Sequence, residues 1–123
     1  MPDKAKNVFF IPASAEERTK SLAEKTKQVF QKLGLEREIE AGSFVAMKIH
    51  FGEKGNTGYI QPAWLSGIIK ILSIQKARPF FTDTNTLYIG SRSNAVDHVK
   101  LAHGHGFAMN ALGVPVIIAD GLI

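Results

Sequence analysis

No cysteine occurs in the 123 residues. That absence excludes disulfides, thiolate-bound metals and thiolate-bound clusters within the chain. Long hydrophobic runs are missing as well. The most apolar stretch, Trp64 to Ile74, is broken by Ser66, Gly67, Lys70 and Ser73, so nothing reaches the ~18 apolar residues of a membrane helix. No apolar leader core precedes the first expected strand, and a soluble, cytoplasmic protein without membrane association is expected. Nor is there a block of like charge. The net charge is +4, but Lys4, Lys6, Arg18, Lys20, Lys25, Lys27 and Lys32 are interleaved with Glu16, Glu17, Glu24 and Glu36. That is the pattern of a solvated helix face. Basic and aromatic residues form no strip of the kind that grips single strands, so nucleic acid is not an expected partner. Internal repeats and low-complexity segments are also absent.

What remains is a hydrophobic fraction of 45% with 21% charged residues, the composition of one globular domain. Short apolar runs alternate with helical patterns. Asn7–Pro12 reads as a strand, followed by a helix capped by Ser14 and stopped by Gly34. Ser43–Ile49 reads as the second strand. A helix from Gln61-Pro62 follows, with Trp64, Leu65, Ile68, Ile69 and Leu72 on its apolar face. The third strand includes Pro79-Phe80-Phe81. A helix capped by Ser93 or Asn94 carries Ala95, Val96, Val99 and Ala102, and a fourth strand ends at Asp120. The order predicts an α/β domain over residues 1–123: a mostly parallel sheet of about four strands, with helices on both faces in a Rossmann-like three-layer arrangement. The last residues, Gly121-Leu122-Ile123, stand where a helix normally follows the strand. The chain is therefore expected to be an incomplete, N-terminal fragment of a larger domain, able to self-associate through its C-terminal edge.

Three of these strands run directly into polar clusters: His50-Phe51-Gly52-Glu53, Thr82-Asp83-Thr84-Asn85 and Asp120-Gly121. Ligands of open α/β sheets bind just beyond the carboxyl ends of the strands, so the coincidence points to one assembled site. His50 has the chemistry of a metal ligand or general base, or of a hydrogen-bonded structural group. Lys48, on the same strand face as His50, is costly to desolvate unless it meets an anion or carboxylate; with His50 it is a candidate catalytic residue. The loop Gly52–Gly58 can present backbone N–H groups to an anion, although G-x-x-G-x-x-G matches neither nucleotide fingerprint. Glu53, Asn56 and Thr57 are its candidate ligand contacts. Asp83 and Asn85 suit a hard cation or hydroxyls, or cap their own turn, and Asp120 carries the same two options. Arg92, at a helix start, suits a phosphate or carboxylate. A divalent cation between His50 and Asp83 is one possible occupant, a small anionic ligand another. Asp97 and His98 diverge by about 100° on a helix and form no dyad with each other. His103 and His105 flank a glycine at a helix end, where capping is the commoner use.

The strings Lys48–Gly58, Thr82–Tyr88, Gly90–His98 and Ile117–Leu122 resemble the N-terminal part of the uncharacterised iron–sulfur centre proteins. This is a domain-of-unknown-function family often joined to a ferredoxin-like module with two four-iron clusters. The resemblance runs from about Val8 to the last residue. It implies electron transfer and 4Fe-4S clusters for a full-length parent, with a ferredoxin-like module or subunit as partner. This chain stops before the cysteine-bearing part, so no cluster is expected in it. The sequence thus leads to a ligand-binding domain with a polar strand-end site, against the alternative of a non-catalytic scaffold or docking domain for the ferredoxin-like part. The alternative expects the polar groups to satisfy one another and leave no open pocket.

Overall fold

The computed structural model describes residues 6–123. Helix α1 (Thr19–Leu33) is followed by a 3-10 turn at Leu35–Glu38, strand β1 (Phe44–Lys48), a 3-10 turn at Pro62–Leu65 and helix α2 (Ser66–Ile74). Strand β2 (Arg78–Thr82), helix α3 (Ala95–Gly104) and the short helix α4 (Met109–Leu112) complete the order. β1 and β2 pair in parallel, with Met47 opposite Phe81 and Lys48 opposite Thr82. A parallel pair needs a crossover, and α2 supplies it.

The local signals account for most of these boundaries. Gly34 closes α1 in the left-handed conformation at φ 71°, which costs a glycine little. Pro62 opens the turn that leads into α2, where its missing N–H is no loss. Asn94 caps α3, its side chain accepting from the Asp97 N–H at 2.9 Å.

Four expectations are corrected. Asn7–Pro12 forms no strand, and Val8 and Phe10 are exposed. The N-terminal segment instead lies against α1, where the Lys32 ammonium sits over the Phe9 ring. Ser14 does not cap α1 with its side chain. It forms a turn in which the Ser14 N–H donates to the Glu17 carboxylate, and the helix begins at Thr19. The segment around Val116 joins the sheet through one bridge to Phe81, so among the described residues the regular sheet has two strands. Finally, the β1 residues Phe44, Ala46 and Lys48 are exposed while Val45 and Met47 face inward. One face of the strand is therefore left open where helical cover was expected.

The core lies on the inner face. Phe51, Phe81 and Phe107 are fully buried and meet edge to face, with ring centroids 4.9 Å apart for Phe51–Phe107 and 5.3 Å for Phe81–Phe107. Met47 of β1, Ile49 just after it, Ile69 of α2 and Val99 of α3 pack around them. Phe51 is an immediate neighbour of His50 and Gly52, and Phe81 precedes Thr82-Asp83. Truncating a buried phenylalanine typically costs about 3–5 kcal/mol, so both strand-end loops hang from stiff anchors.

Candidate functional site

Beyond the carboxyl ends of β1 and β2, one network joins residues from three segments, Lys48–Glu53, Asp83–Thr84 and Tyr88–Arg92. At its centre is Arg92, whose side chain is only 8% exposed. Its Nη2 donates to Asp83 Oδ2 at 3.1 Å. Its Nη1 donates to Glu53 Oε1 at 2.5 Å and lies 3.0 Å from His50 Nε2. Asp83 Oδ1 accepts from the Thr84 N–H at 2.9 Å and pairs with Lys48 Nζ at 3.3 Å. The Tyr88 hydroxyl donates to Glu53 at 2.5 Å.

Electrostatics follow from these contacts. Burial pushes the Asp83 carboxyl up, but the Thr84 N–H, Lys48 and Arg92 together outweigh it and hold the group below the usual carboxylate range. The Tyr88 hydroxyl and Arg92 lower Glu53, and Glu53 in turn raises the Tyr88 phenol. Burial opposes the charge on Arg92, but Glu53 and Asp83 raise its affinity for the proton. Arg92 Nε, also buried, has no acceptor among the described residues.

A second layer ties Asp120 in. Its Oδ2 accepts from the Asn85 N–H at 2.7 Å, and Asn85 Nδ2 donates to the Gly121 carbonyl at 2.9 Å. Asn85 Oδ1 faces His98 Nδ1 at 3.1 Å, so Nδ1 carries the proton and Nε2 is left a lone pair. That Nε2 is buried without a partner, 3.9 Å from Asp83 Oδ2. Burial, reinforced by Arg92, lowers the His98 pKa.

The structure therefore brings together His50, Glu53, Asp83, Asn85, Arg92 and Asp120, and places Lys48 at the rim. The Lys48 side chain is 70% exposed, so the expected desolvation cost does not arise. Asn56 and Thr57 are exposed and outside the network; Asn56 Oδ1 accepts from the Gly58 N–H at 2.7 Å. They do line a cavity of about 550 Å³ that His50 shares with Tyr59, Ile60 and Trp64. The cation expected between His50 and Asp83 meets a different arrangement. Arg92 and Lys48 occupy the oxygens of Asp83, and no three His, Asp or Glu side chains gather as metal ligands among the described residues.

Two members were not foreseen. Tyr88 sits on a loop and had no local signal. His98 did: with Ala95, Val99 and Ala102 it completes the i, i+3, i+4, i+7 face of α3, and it is fully buried while Val96 is 49% exposed. His98, not Val96, takes the inward position.

His50 has a distinctive environment. Its Nδ1 faces the Gly52 N–H at 2.9 Å while its Nε2 faces the Arg92 guanidinium. A neutral imidazole has one acceptor nitrogen, so one of these two contacts sets donor against donor in either tautomer.

A family model described as Domain of unknown function (DUF362) matches residues 45–122. The chain belongs to the DUF362 family. No curated protein and no solved structure matches it significantly. The span matched to DUF362 begins within β1 and includes every member of the network. Among the described residues of this DUF362 chain, no helix is long and apolar enough to cross a membrane.

Proposed function

We propose that the chain is a ligand-binding α/β domain, the core of a larger parallel sheet, that takes a small anionic ligand at the carboxyl ends of its strands. The observation that carries this reading is the environment of His50. With Nδ1 accepting from Gly52, Nε2–H and Arg92 Nη1, 3.0 Å apart, set N–H against N–H, and a carboxylate or phosphate oxygen within reach of both would relieve that opposition. The cavity beside His50 has no Asp, Glu, Lys or Arg in its wall, so no carboxylate there repels a negative occupant.

In this reading Arg92 is the charge that attracts the anion, while Asp83 and Glu53 hold the guanidinium in place. His50 donates from Nε2 and stands where a proton can be passed to or from a bound group. Lys48 contributes long-range attraction from the rim. Neither metal chemistry nor a divalent cation enters, since Asp83 is already engaged by two cations.

The resemblance to iron–sulfur centre proteins extends the proposal to a cytoplasmic redox parent. Cluster ligands are thiolates and this chain has no cysteine, so a cluster does not fit here and no step is routed through one. It would belong to a ferredoxin-like module or partner subunit.

The experiment is a thermal-shift and calorimetric screen with benzoate, succinate and inorganic phosphate against the wild type and His50→Ala. A ligand at 100-fold excess over Kd adds about 2.7 kcal/mol of apparent stability. A shift lost in His50→Ala is expected. Absence of any shift, or one indifferent to His50, removes the anion reading in favour of the docking domain, whose mutually satisfied polar groups the Asp83–Arg92–Glu53 cluster resembles. For the redox part, the cluster-bearing parent is examined by electron paramagnetic resonance with and without the anion. An unchanged spectrum eliminates that part.

A further inference from the structure

We infer that the cavity beside His50 selects a planar aromatic anion, with the ring between Tyr59 and Trp64 and the charged group at His50. The inference rests on the anion reading above and specifies its ligand class.

The cavity lining is of two kinds. His50, Asn56 and Thr57 bring polar groups, whereas Tyr59, Ile60 and Trp64 bring an aromatic and apolar wall. Its volume, about 550 Å³, lies within the range of small-molecule sites. A simple inorganic anion would leave the apolar wall in water. A ligand with a flat apolar body covers that wall while its anionic group reaches His50.

The aromatic wall is preorganised. Tyr59 stacks on His105 with centroids 4.4 Å apart and planes 10° from parallel. His105 is itself fixed, since its Nδ1–H donates to the Phe51 carbonyl at 2.7 Å and Phe51 is a fully buried core residue. Gly52 lies so close that a Cβ there would stand 2.4 Å from Tyr59 Cδ1. Tyr59 is therefore held by a stacked imidazole with bare backbone close beside the pair, and it offers a surface without the entropic cost of ordering a mobile ring. Flat rings gain from offset stacking or edge contact with such a surface beyond simple area burial. A puckered aliphatic ring of similar size does not.

The test compares three probes that differ in one property each: benzoate, cyclohexanecarboxylate (the same charge, not planar) and benzamide (planar, no charge). Binding is measured by isothermal titration and by fluorescence of Trp64, the single tryptophan of the chain. Benzoate is expected to bind roughly tenfold more tightly than cyclohexanecarboxylate, to bind more tightly than benzamide, and to change the Trp64 emission. Trp64→Leu, which keeps an apolar side chain at the position, should erase the preference for benzoate over cyclohexanecarboxylate while leaving binding sensitive to His50→Ala. Equal affinity for the two carboxylates overturns the aromatic class but leaves the anion reading standing. Equal affinity for benzoate and benzamide overturns the anion reading, and with it the class inferred here. Binding by none of the three overturns both.

Discussion

Replacing Asp83 by asparagine tests whether the network is a buried unit or a solvated surface cluster. The Asp83 side chain is 4% exposed and that of Arg92 8%, so their contact is shielded from water. Asparagine keeps the shape and can still accept from the Thr84 N–H, but it removes the charge opposite Arg92 Nη2. The guanidinium then retains only Glu53, whose side chain is 39% exposed. Breaking a buried pair by removing one partner costs about 3–5 kcal/mol. The lower end, about 3 kcal/mol, applies because Glu53 remains and because the Lys48 contact, made by a side chain 70% exposed, contributes little of its own. For a chain of this length that corresponds to a fall in Tm of roughly 10 °C. Urea denaturation followed by Trp64 fluorescence measures it directly. Adding Arg92→Met to Asp83→Asn should recover much of the loss, because the uncompensated charge is gone, and the double-mutant cycle reads the coupling. A loss below about 1 kcal/mol for Asp83→Asn, or strictly additive effects in the cycle, would refute the reasoning, since only solvated or independent groups behave so.

Two further perturbations examine neighbouring parts. Stability should fall on acidification in two stages. The unfolded His98 side chain takes up a proton near pH 6.5, whereas burial and Arg92 keep the folded group neutral to lower pH. Protons therefore favour the unfolded chain in that window, and stability is lost as pH falls through it. The titratable and charged groups facing His98 are Arg92, Asp83, Glu53 and the His50 imidazole. Of these Asp83 and Glu53, with lowered pKa values, add stability above their unfolded values near pH 4 that disappears on further acidification. Denaturation midpoints from pH 7 to 3 check both limbs. The upper limb should vanish in His98→Asn, and a chain that became more stable between pH 7 and 5 would contradict the neutral, buried imidazole. Gly52→Ala should cost about 2 kcal/mol or more, because φ is +89° and the new Cβ would stand 2.4 Å from Tyr59 Cδ1 and 3.0 Å from His105 Nδ1. Wild-type stability in that variant would show that the Tyr59–His105 stack has room to yield.

How much of this was legible beforehand depends on the range of each interaction. β1, β2 and α3, the left-handed stop at Gly34 and the Asn94 cap were readable because apolar periodicity and end signals act over a few residues. That His50, Asp83 and Asp120 come to one edge was also readable, since a parallel crossover brings strand ends to one edge whatever the details. The tertiary structure alone decided the rest. Asn7–Pro12 has the composition of a strand, but pairing needs a neighbour with free backbone groups at hand, and the segment lies on α1 instead. His98 carries no mark of its role until α3 is rotated into place, when its ring reaches Asn85 and stops 3.9 Å from Asp83. The partner of Asp83 was likewise beyond any local pattern. A carboxylate at a strand end suits a metal ion as well as a guanidinium, and only the packing that lays the Arg92 loop across both strand ends assigns it to the guanidinium. Residue types and their order determined which chemistry was present and at which edge of the sheet. Side-chain distances, set by the buried phenylalanines and the fold of the loops around them, decided which groups neutralise each other and left the cavity beside His50 open.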